Sequence, residues 1–393
     1  MRWWQVGLLA LGAVVSGGLA FGQGCVPDEL LVKFQPGTPA SVRAAVHRAV
    51  GATVRSRVSA LDVDVVALPP RLAPLQAAVL YSRSASVQYA EPDPVFVAAS
   101  IPSDPDFGQQ WGLTTIQAPQ AWDVTHGSAD IAIAILDSGI DQNHPDLAAK
   151  IVANENFSSS NTVDDVYGHG THLAGIVAAI TNNGVGIAGV GYNCTLMNGK
   201  VAEDNNGLTR ASALAQGITW AADSGAKVIC MSLGSPTSSQ TVADAVDYAW
   251  NAGTVLVASA GNNGNTLPNY PAAYPQCISV AATDPSDQRE VQATGASTFG
   301  SWVDVAAPGL NILSTLPNHP NHFLQQGYGV ASGTSQAAAF VAGLAGLVWS
   351  TSFGTSNAAV RARIEQTCDP TPGTGTLWRS GRINAARAVG AIP

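Results

Sequence analysis

Charge is scarce in this chain: of its 393 residues only 11% are Asp, Glu, Lys or Arg. No block of like charges and no polar tail interrupts the sequence. That excludes the kind of segment that stays disordered because it cannot bury enough apolar surface. Closely spaced cysteines are missing too. Cys25, Cys194, Cys230, Cys277 and Cys368 form no CxxC pair, which excludes a cysteine-ligated metal ribbon or a dithiol redox centre. The four cysteines after Cys25 allow two disulfides in several pairings or simply free buried thiols, and Cys230, inside Val228-Ile229-Cys230-Met231, reads as a small core residue. A membrane span is not found at the N-terminus either, because the apolar stretch from Val6 to Leu19 falls short of the ~20 residues a bilayer requires. With Arg2 before it and Ala20 and Gly22 after it, the stretch has the layout of a secretory signal peptide, expected over residues 1–23 and directing the chain outside the cell. Gly22-Gln23-Gly24 ahead of Cys25 lacks the leucine of a lipoprotein signal, so no membrane anchor is expected in the exported form.

What is present is a globular composition. Hydrophobic residues make up 46% and glycine fills 40 positions, as in a tightly packed α/β protein with a neutral polar surface. The net charge of −9 is unevenly spread: residues 24–100 carry seven basic against six acidic side chains, and residues 101–393 carry ten against twenty-one. An acidic body excludes nucleic acid as a partner and leaves carboxylates available for cations.

Residues 28–35, 62–68 and 86–97 read as strands and 39–50 and 71–82 as helices, a small β-α-β-α-β unit expected over residues 24–100. The Ala/Ser/Pro stretch from Ala98 to Pro105 reads as an exposed linker. In the unit expected over residues 101–393 the strand candidates are 131–136, 195–201, 226–231, 254–259 and 277–281. The helix candidates are 170–180, 208–224, 240–252, 335–349 and 356–366. Apolar strands alternating with helices give an α/β fold with a mostly parallel sheet and helices on both faces. Functional groups then gather at the carboxyl ends of the strands. Gly184-Val185-Gly186-Ile187-Ala188-Gly189 fits the dinucleotide fingerprint, but it follows a helix instead of opening one after a strand, so it reads as a compact loop.

Three positions carry chemistry. Asp137 ends an apolar strand just before Gly139. His169, between Gly168 and Gly170, opens a helix and is free to use both ring nitrogens. His172 lies one turn further on, but without the acid of a metalloprotease helix it reads as structural. Ser335 follows Gly333 where a small-residue turn becomes the helix running to Trp349. Free backbone N–H groups and the positive helix end lie beside its hydroxyl, although an ordinary N-cap serine sits in the same kind of place.

Carried on ILDSGID, GHGTHLAGI and SGTSQAAAFVAG, the order Asp, His, Ser resembles the subtilisin-like serine proteases, or subtilases. QQWGLTTIQAPQAWD (109–123), TNNGVGIAGV (181–190), MSLGS (231–235), SAGNNGNTLPNYPA (259–272) and GSWVDVAAPG (300–309) are similar to the thermitase-like branch. Residues 28–97 resemble the inhibitory propeptide of such enzymes. The resemblance implies a subtilisin-like fold behind a small α+β propeptide, released by a cut within residues 97–103. It also implies a secreted, monomeric serine endopeptidase that is inhibited by its own propeptide and acts on proteins or peptides through an acyl-enzyme. Ser335 is then the nucleophile, His169 the base, Asp137 its orienting acid and Asn262 the oxyanion donor, with Asn263 as the competing amide. Ser232-Leu233-Gly234 and Gly207-Leu208-Thr209 are expected to pair with the substrate backbone. Ala258, Ala260 and Gly261 are expected to line a pocket for a large apolar residue before the cut. The resemblance further implies structural Ca²⁺ on Asp104, Asp146 and Asn183 with carbonyls of Ile180, Val185 and Ile187, and a weaker set in Asn156, Asn161, Asp164 and Asp165. Gln336, Ala339 and Phe340 depart from the family's usual Met, Pro and His, and they motivate the competing reading of an inactive binding protein on the same fold.

Overall fold

The computed structural model describes residues 25–95, 101–293 and 295–392. The expected signal peptide lies outside the described residues, as does most of the expected propeptide junction. The chain divides into two compact units, Met1–Ala98 and Ala99–Pro393.

The first unit runs β1 (Cys25–Phe34), α1 (Ala40–Val50), β2 (Thr53–Val58), β3 (Val63–Ala67), α2 (Pro74–Tyr81) and β4 (Val87–Pro94) in one antiparallel sheet of order β2-β3-β1-β4. Leu30, Val32, Phe34, Val66 and Tyr81 form its core. The unit thus has one strand more than the periodicity predicts. Every residue of β2 (TVRSRV) is exposed at the sheet edge, so it has no buried face to betray it.

The second unit begins with α3 (Trp111–Thr115), α4 (Ala118–Trp122), β5 (Ala132–Asp137), β6 (Ile151–Asn156), α5 (His169–Ala178), β7 (Thr195–Lys200), α6 (Ala211–Asp223) and β8 (Val228–Met231). It continues through α7 (Gln240–Asn251), β9 (Val255–Ser259), β10 (Cys277–Thr283), the short ribbon β11 (Val291–Gln292) and β12 (Gly295–Ala296), and β13 (Val305–Pro308). A hairpin of β14 (Ile312–Leu316) and β15 (Gly327–Ala331) follows, then α8 (Thr334–Trp349), α9 (Asn357–Gln366) and α10 (Ala385–Val389). Seven parallel strands are ordered β13-β10-β9-β8-β5-β7-β6.

Alternation along β5 sorts the two cores. Ile133 and Ile135 face the cluster built with α5, α8 and α9, whereas Ala134 and Leu136 face α6 and α7. Helix α8 is buried at every position from Thr334 to Val348, which explains a sequence that is apolar all round. From β5 the chain turns to β6 and β7 on one side, and it later lays β8 and its successors on the other. The carboxyl ends of β5 and β8 therefore flank a topological switch point, where an open α/β sheet leaves a crevice.

All five cysteines are free and buried, and burial pushes the Cys230 thiol up to about 12. Among the described residues no helix is long and apolar enough to cross a membrane.

Candidate active site

Asp137 is the last residue of β5, 5% exposed, and its Oδ1 accepts bonds from Ser138 N (2.8 Å) and from His169 Nδ1 (2.8 Å). His169 reaches it because α5 starts hard against the turn after β5. A Cβ on Gly170 would lie 2.1 Å from the Gly139 carbonyl oxygen, so only glycine permits this approach. A buried network holds the two segments together. Asp165 accepts from Ser138 Oγ (2.8 Å), Gly168 N (2.7 Å), Thr171 N (2.8 Å) and Thr171 Oγ1 (2.7 Å), and Ser138 Oγ in turn accepts from Gly170 N (2.9 Å). Burial pulls the His169 pKa down, but the Asp137 charge and hydrogen bond outweigh it, and the net direction is upward. The carboxylate thus fixes the tautomer with hydrogen on Nδ1 and leaves Nε2 as the basic atom.

Ser335 lies in the first turn of α8. Its Oγ donates to Ser232 O at 3.2 Å and its carbonyl accepts from Ser232 Oγ at 3.0 Å, which ties it to the residue just after β8. The hydroxyl has no hydrogen bond to His169 in this arrangement. The two helices nonetheless meet beside it: Gln336 Nε2 lies 3.4 Å from His172 Nδ1, one turn beyond His169. His172 also donates from Nε2 to Gly329 O (3.2 Å) and stacks on Phe323. Burial pushes its pKa down to about 3, so it stays neutral and structural, as its sequence context predicts. The departures after Ser335 are packed into the core. Ala339 is wholly buried, and Phe340 fills the space above Gly112, where a Cβ would lie 2.5 Å from Phe340 Cζ.

Asn262 is the amide that faces this helix start. Its Oδ1 accepts from Thr334 N (2.9 Å) and Thr334 Oγ1 (3.0 Å), so Nδ2 is turned outward, 3.1 Å from where a Cβ of Gly333 (φ +145°) would be. Thr334 Oγ1 also accepts from Gly261 N at 3.0 Å. Asn263, the competing amide, instead pairs its backbone with Ala296 and Thr298.

A cleft of about 450 Å³ collects Asp137 and His169 together with Gly207, Leu208, Thr209, Ser232, Leu233 and Gly234. Thr209 bridges back to Ala202, and Ser235 to Tyr270, so each segment is held by its own neighbour. Leu214, Val242 and Tyr274 close the apolar end. Ala258, Ala260 and Gly261, expected to line the pocket, are not among the residues that line this cleft. The methyls of Ala258 and Ala260 are wholly buried, Ala258 on the same strand face as Leu256 and Ala260 in a cluster with Trp378. Gly261 is half-buried with φ +103°.

The expected cation residues fall into two cases. Asp104 accepts from Asn182 N (2.7 Å) and Asn183 N (3.1 Å). Asp146 accepts from Asn183 Nδ2 (2.8 Å), Ile187 N (3.0 Å) and Tyr328 OH (3.3 Å), and Ile180 N donates to Asp146 O (2.9 Å). Val185 N donates to Asn183 Oδ1 (2.7 Å). Asp104 and Asp146 are 3% and 0% exposed, burial raises the Asp146 pKa, and among the described residues no Lys or Arg pairs with either. Two members of the weaker set are bonded elsewhere. Asp165 spends its oxygens on the network above, and Asn156 bonds within its own loop to Ser158 and Ser160.

Ser138 and Thr334 escaped the sequence reading, and Asp165 entered it only as a cation ligand, not as the centre of this network. The available signals were an acid just before a glycine-flanked helix start and a hydroxyl on a helix's first residue.

Both units have counterparts among known proteins. The subtilase family model matches residues 128–385, and the fervidolysin N-terminal prodomain model matches residues 21–93. Thermitase of Thermoactinomyces vulgaris is 49% identical over 290 residues, covering 73% of this chain and 99% of the relative. The thermophilic serine proteinase of Bacillus sp. strain AK1 is 41% identical over 375 residues, covering 93% and 88%. A solved protease from Pseudoalteromonas arctica superposes with a TM-score of 0.67 at 31% identity, over 74% of this chain and 99% of that one.

Proposed function

The chain belongs to the subtilase family as a serine endopeptidase with an N-terminal prodomain, and from that premise we propose that it hydrolyses peptide bonds through Ser335, His169 and Asp137. The observation that carries the reading is the 2.8 Å Asp137–His169 bond at the end of β5, with Ser335 held at the end of the neighbouring β8. Ser335 Oγ attacks the scissile carbonyl, His169 Nε2 takes its proton and returns it to the leaving amine, and water then releases the acyl group by the same relay. The Ser335 hydroxyl must exchange the Ser232 carbonyl for His169 Nε2, a contact that commonly tightens only with substrate bound. Negative charge developing on the carbonyl oxygen is met by Ser335 N–H and Asn262 Nδ2.

Substrate lies extended between Gly207-Leu208-Thr209 and Ser232-Leu233-Gly234, bound by main-chain pairing that tolerates many sequences. The apolar end of the cleft favours large apolar side chains before the cut. The prodomain keeps the precursor inhibited, and the mature enzyme acts as a secreted monomer. Asp104, Asp146 and Asn183, with carbonyls of Ile180, Val185 and Ile187, would hold a structural Ca²⁺. Two buried carboxylates that pair with no Lys or Arg among the described residues are a hard-oxygen set that suits this ion, which would neutralise their charge.

Cleavage of a peptide library by the mature enzyme, with Ser335→Ala as the control, tests the proposal. Cuts after aromatic and long aliphatic residues, absent from the control, support it. Cuts mainly after acidic residues, or equal cleavage by the control, contradict it.

A further inference from the structure

Outside the residues proposed for catalysis, Asp141, Asp164 and His319 each offer a ligand atom, and these atoms lie within 4.8 Å of one another. They come from three places: the turn after β5, the segment before α5, and the loop joining β14 to β15. Their surroundings leave the ligand atoms poised. Asp141 is 1% exposed, its Oδ1 accepting from Asn143 N (2.9 Å) and its Oδ2 from Asn318 N (2.9 Å). Asp164 Oδ1 accepts from Gln142 N (3.2 Å) and Asp165 N (3.0 Å), leaving Oδ2 toward His319.

His319 shows what is missing. Its Nδ1 lies 3.3 Å from Pro320 O, a carbonyl that can only accept, so Nδ1 carries the hydrogen. In the neutral ring Nε2 then points its lone pair toward Asp164 Oδ2 at 3.4 Å, the atom itself closed off from solvent and without a hydrogen bond among the described residues. A lone pair facing a carboxylate is an arrangement that a cation relieves. An imidazole oriented by a backbone carbonyl and carboxylates oriented by N–H groups are also the usual outer support of a metal site. Bonds of about 2.0–2.2 Å from zinc to nitrogen and oxygen put two tetrahedral ligands roughly 3.4 Å apart, which matches the His319–Asp164 separation. Calcium takes oxygen ligands, whereas an imidazole with two carboxylates suits a borderline divalent ion.

We propose that Asp141, Asp164 and His319 bind one Zn²⁺, with water in the fourth position, and that the ion pins the β14–β15 loop to the entrance of α5. The loop already touches that entrance: His322 stacks on Tyr167 (4.7 Å, 7°), a residue that lines the cleft, and His322 N donates to Tyr167 O at 3.0 Å. The ion therefore rigidifies one wall of the cleft without touching the reacting groups.

The test uses the full chain carrying Ser335→Ala, which removes self-digestion, saturated with Ca²⁺ so that oxygen-only sites are filled. Titration calorimetry with Zn²⁺ alone should give one equivalent bound. Adding His319→Ala or Asp164→Asn should weaken that binding at least tenfold, while adding His169→Ala should leave it intact, which separates this site from Asp137–His169. Zn²⁺ should also raise the melting temperature and protect residues 317–326 from an added protease, and neither effect should appear with His319→Ala. Circular dichroism confirms that each variant is folded. No Zn²⁺ binding, or binding as tight with His319→Ala as without it, overturns the site and leaves His319–Asp164 an ordinary side-chain contact.

Discussion

Removing the Asn262 amide isolates its proposed oxyanion role. Its Oδ1 is committed to two bonds with Thr334, at 2.9 and 3.0 Å, so the amide is locked with Nδ2 as its only free donor. Loss of one such donor costs about 3–4 kcal/mol of transition-state stabilisation, or roughly 10²–10³ in kcat. Asn262→Ala should therefore lower kcat by that factor with KM nearly unchanged, because the donor meets charge that exists only in the transition state. Asn262→Asp keeps the oxygen facing Thr334 but puts a carboxylate oxygen where the donor was, so it should rescue nothing. Thr334→Val removes the hydroxyl that links Asn262 Oδ1 to Gly261 N. At ~1 kcal/mol for a neutral hydrogen bond, loosening the amide in this way should cost about tenfold at most. Steady-state kinetics on a chromogenic peptide read all three. The reasoning is refuted if Asn262→Ala keeps kcat within about threefold, or if its whole effect lies in KM.

Calcium at Asp104 and Asp146 stabilises the fold only if it prefers the native state. A chelator should then lower the melting temperature by several degrees, about 2.7 kcal/mol being lost from an ion at a hundred times its Kd; an Asp146→Asn variant that responds equally to chelator contradicts the site. Gln336 stands where a methionine would oxidise next to Ser335, the proposed nucleophile, so Gln336→Met should make the enzyme peroxide-sensitive while the parent resists, as residual activity after peroxide would show. His172 is held neutral with its pKa pushed down to about 3, and its contribution to stability is present above its unfolded value near 6.5. That contribution falls by about 1.4 kcal/mol per pH unit as pH drops from there toward 3. His172→Gln should flatten the acid limb of a denaturant-midpoint profile, and an unchanged limb speaks against this account.

The groups proposed for catalysis were legible because each sits where an apolar run meets a glycine turn: Asp137 at the end of a strand, His169 and Ser335 at the starts of helices. The sheet was legible through its continuous apolar strands. What was hidden depends on pairs far apart in the chain. Asn318 N reaches Asp141 across 177 residues, and the hydroxyls of Ser314 and Thr315 reach the carbonyls of His172 and Thr171 across more than 140, so no local pattern announces the hairpin loop beside the cleft. Edge strands β2 and β6 lack a continuous buried face and leave no periodic trace. Ala258 and Ala260 show the limit of local reading, because a small side chain in a strand looks the same whether it lines a cleft or lets two layers of core approach. Only the face on which the strand places it decides.

Reaction with a serine-directed fluorophosphonate, followed by peptide mapping of the label, tests the proposed chemistry most directly. The account predicts covalent label on Ser335 in the mature enzyme and its disappearance in His169→Ala, since without the base the hydroxyl stays bonded to the Ser232 carbonyl. Label on another residue, or no label on Ser335 after complete removal of the prodomain, would contradict it.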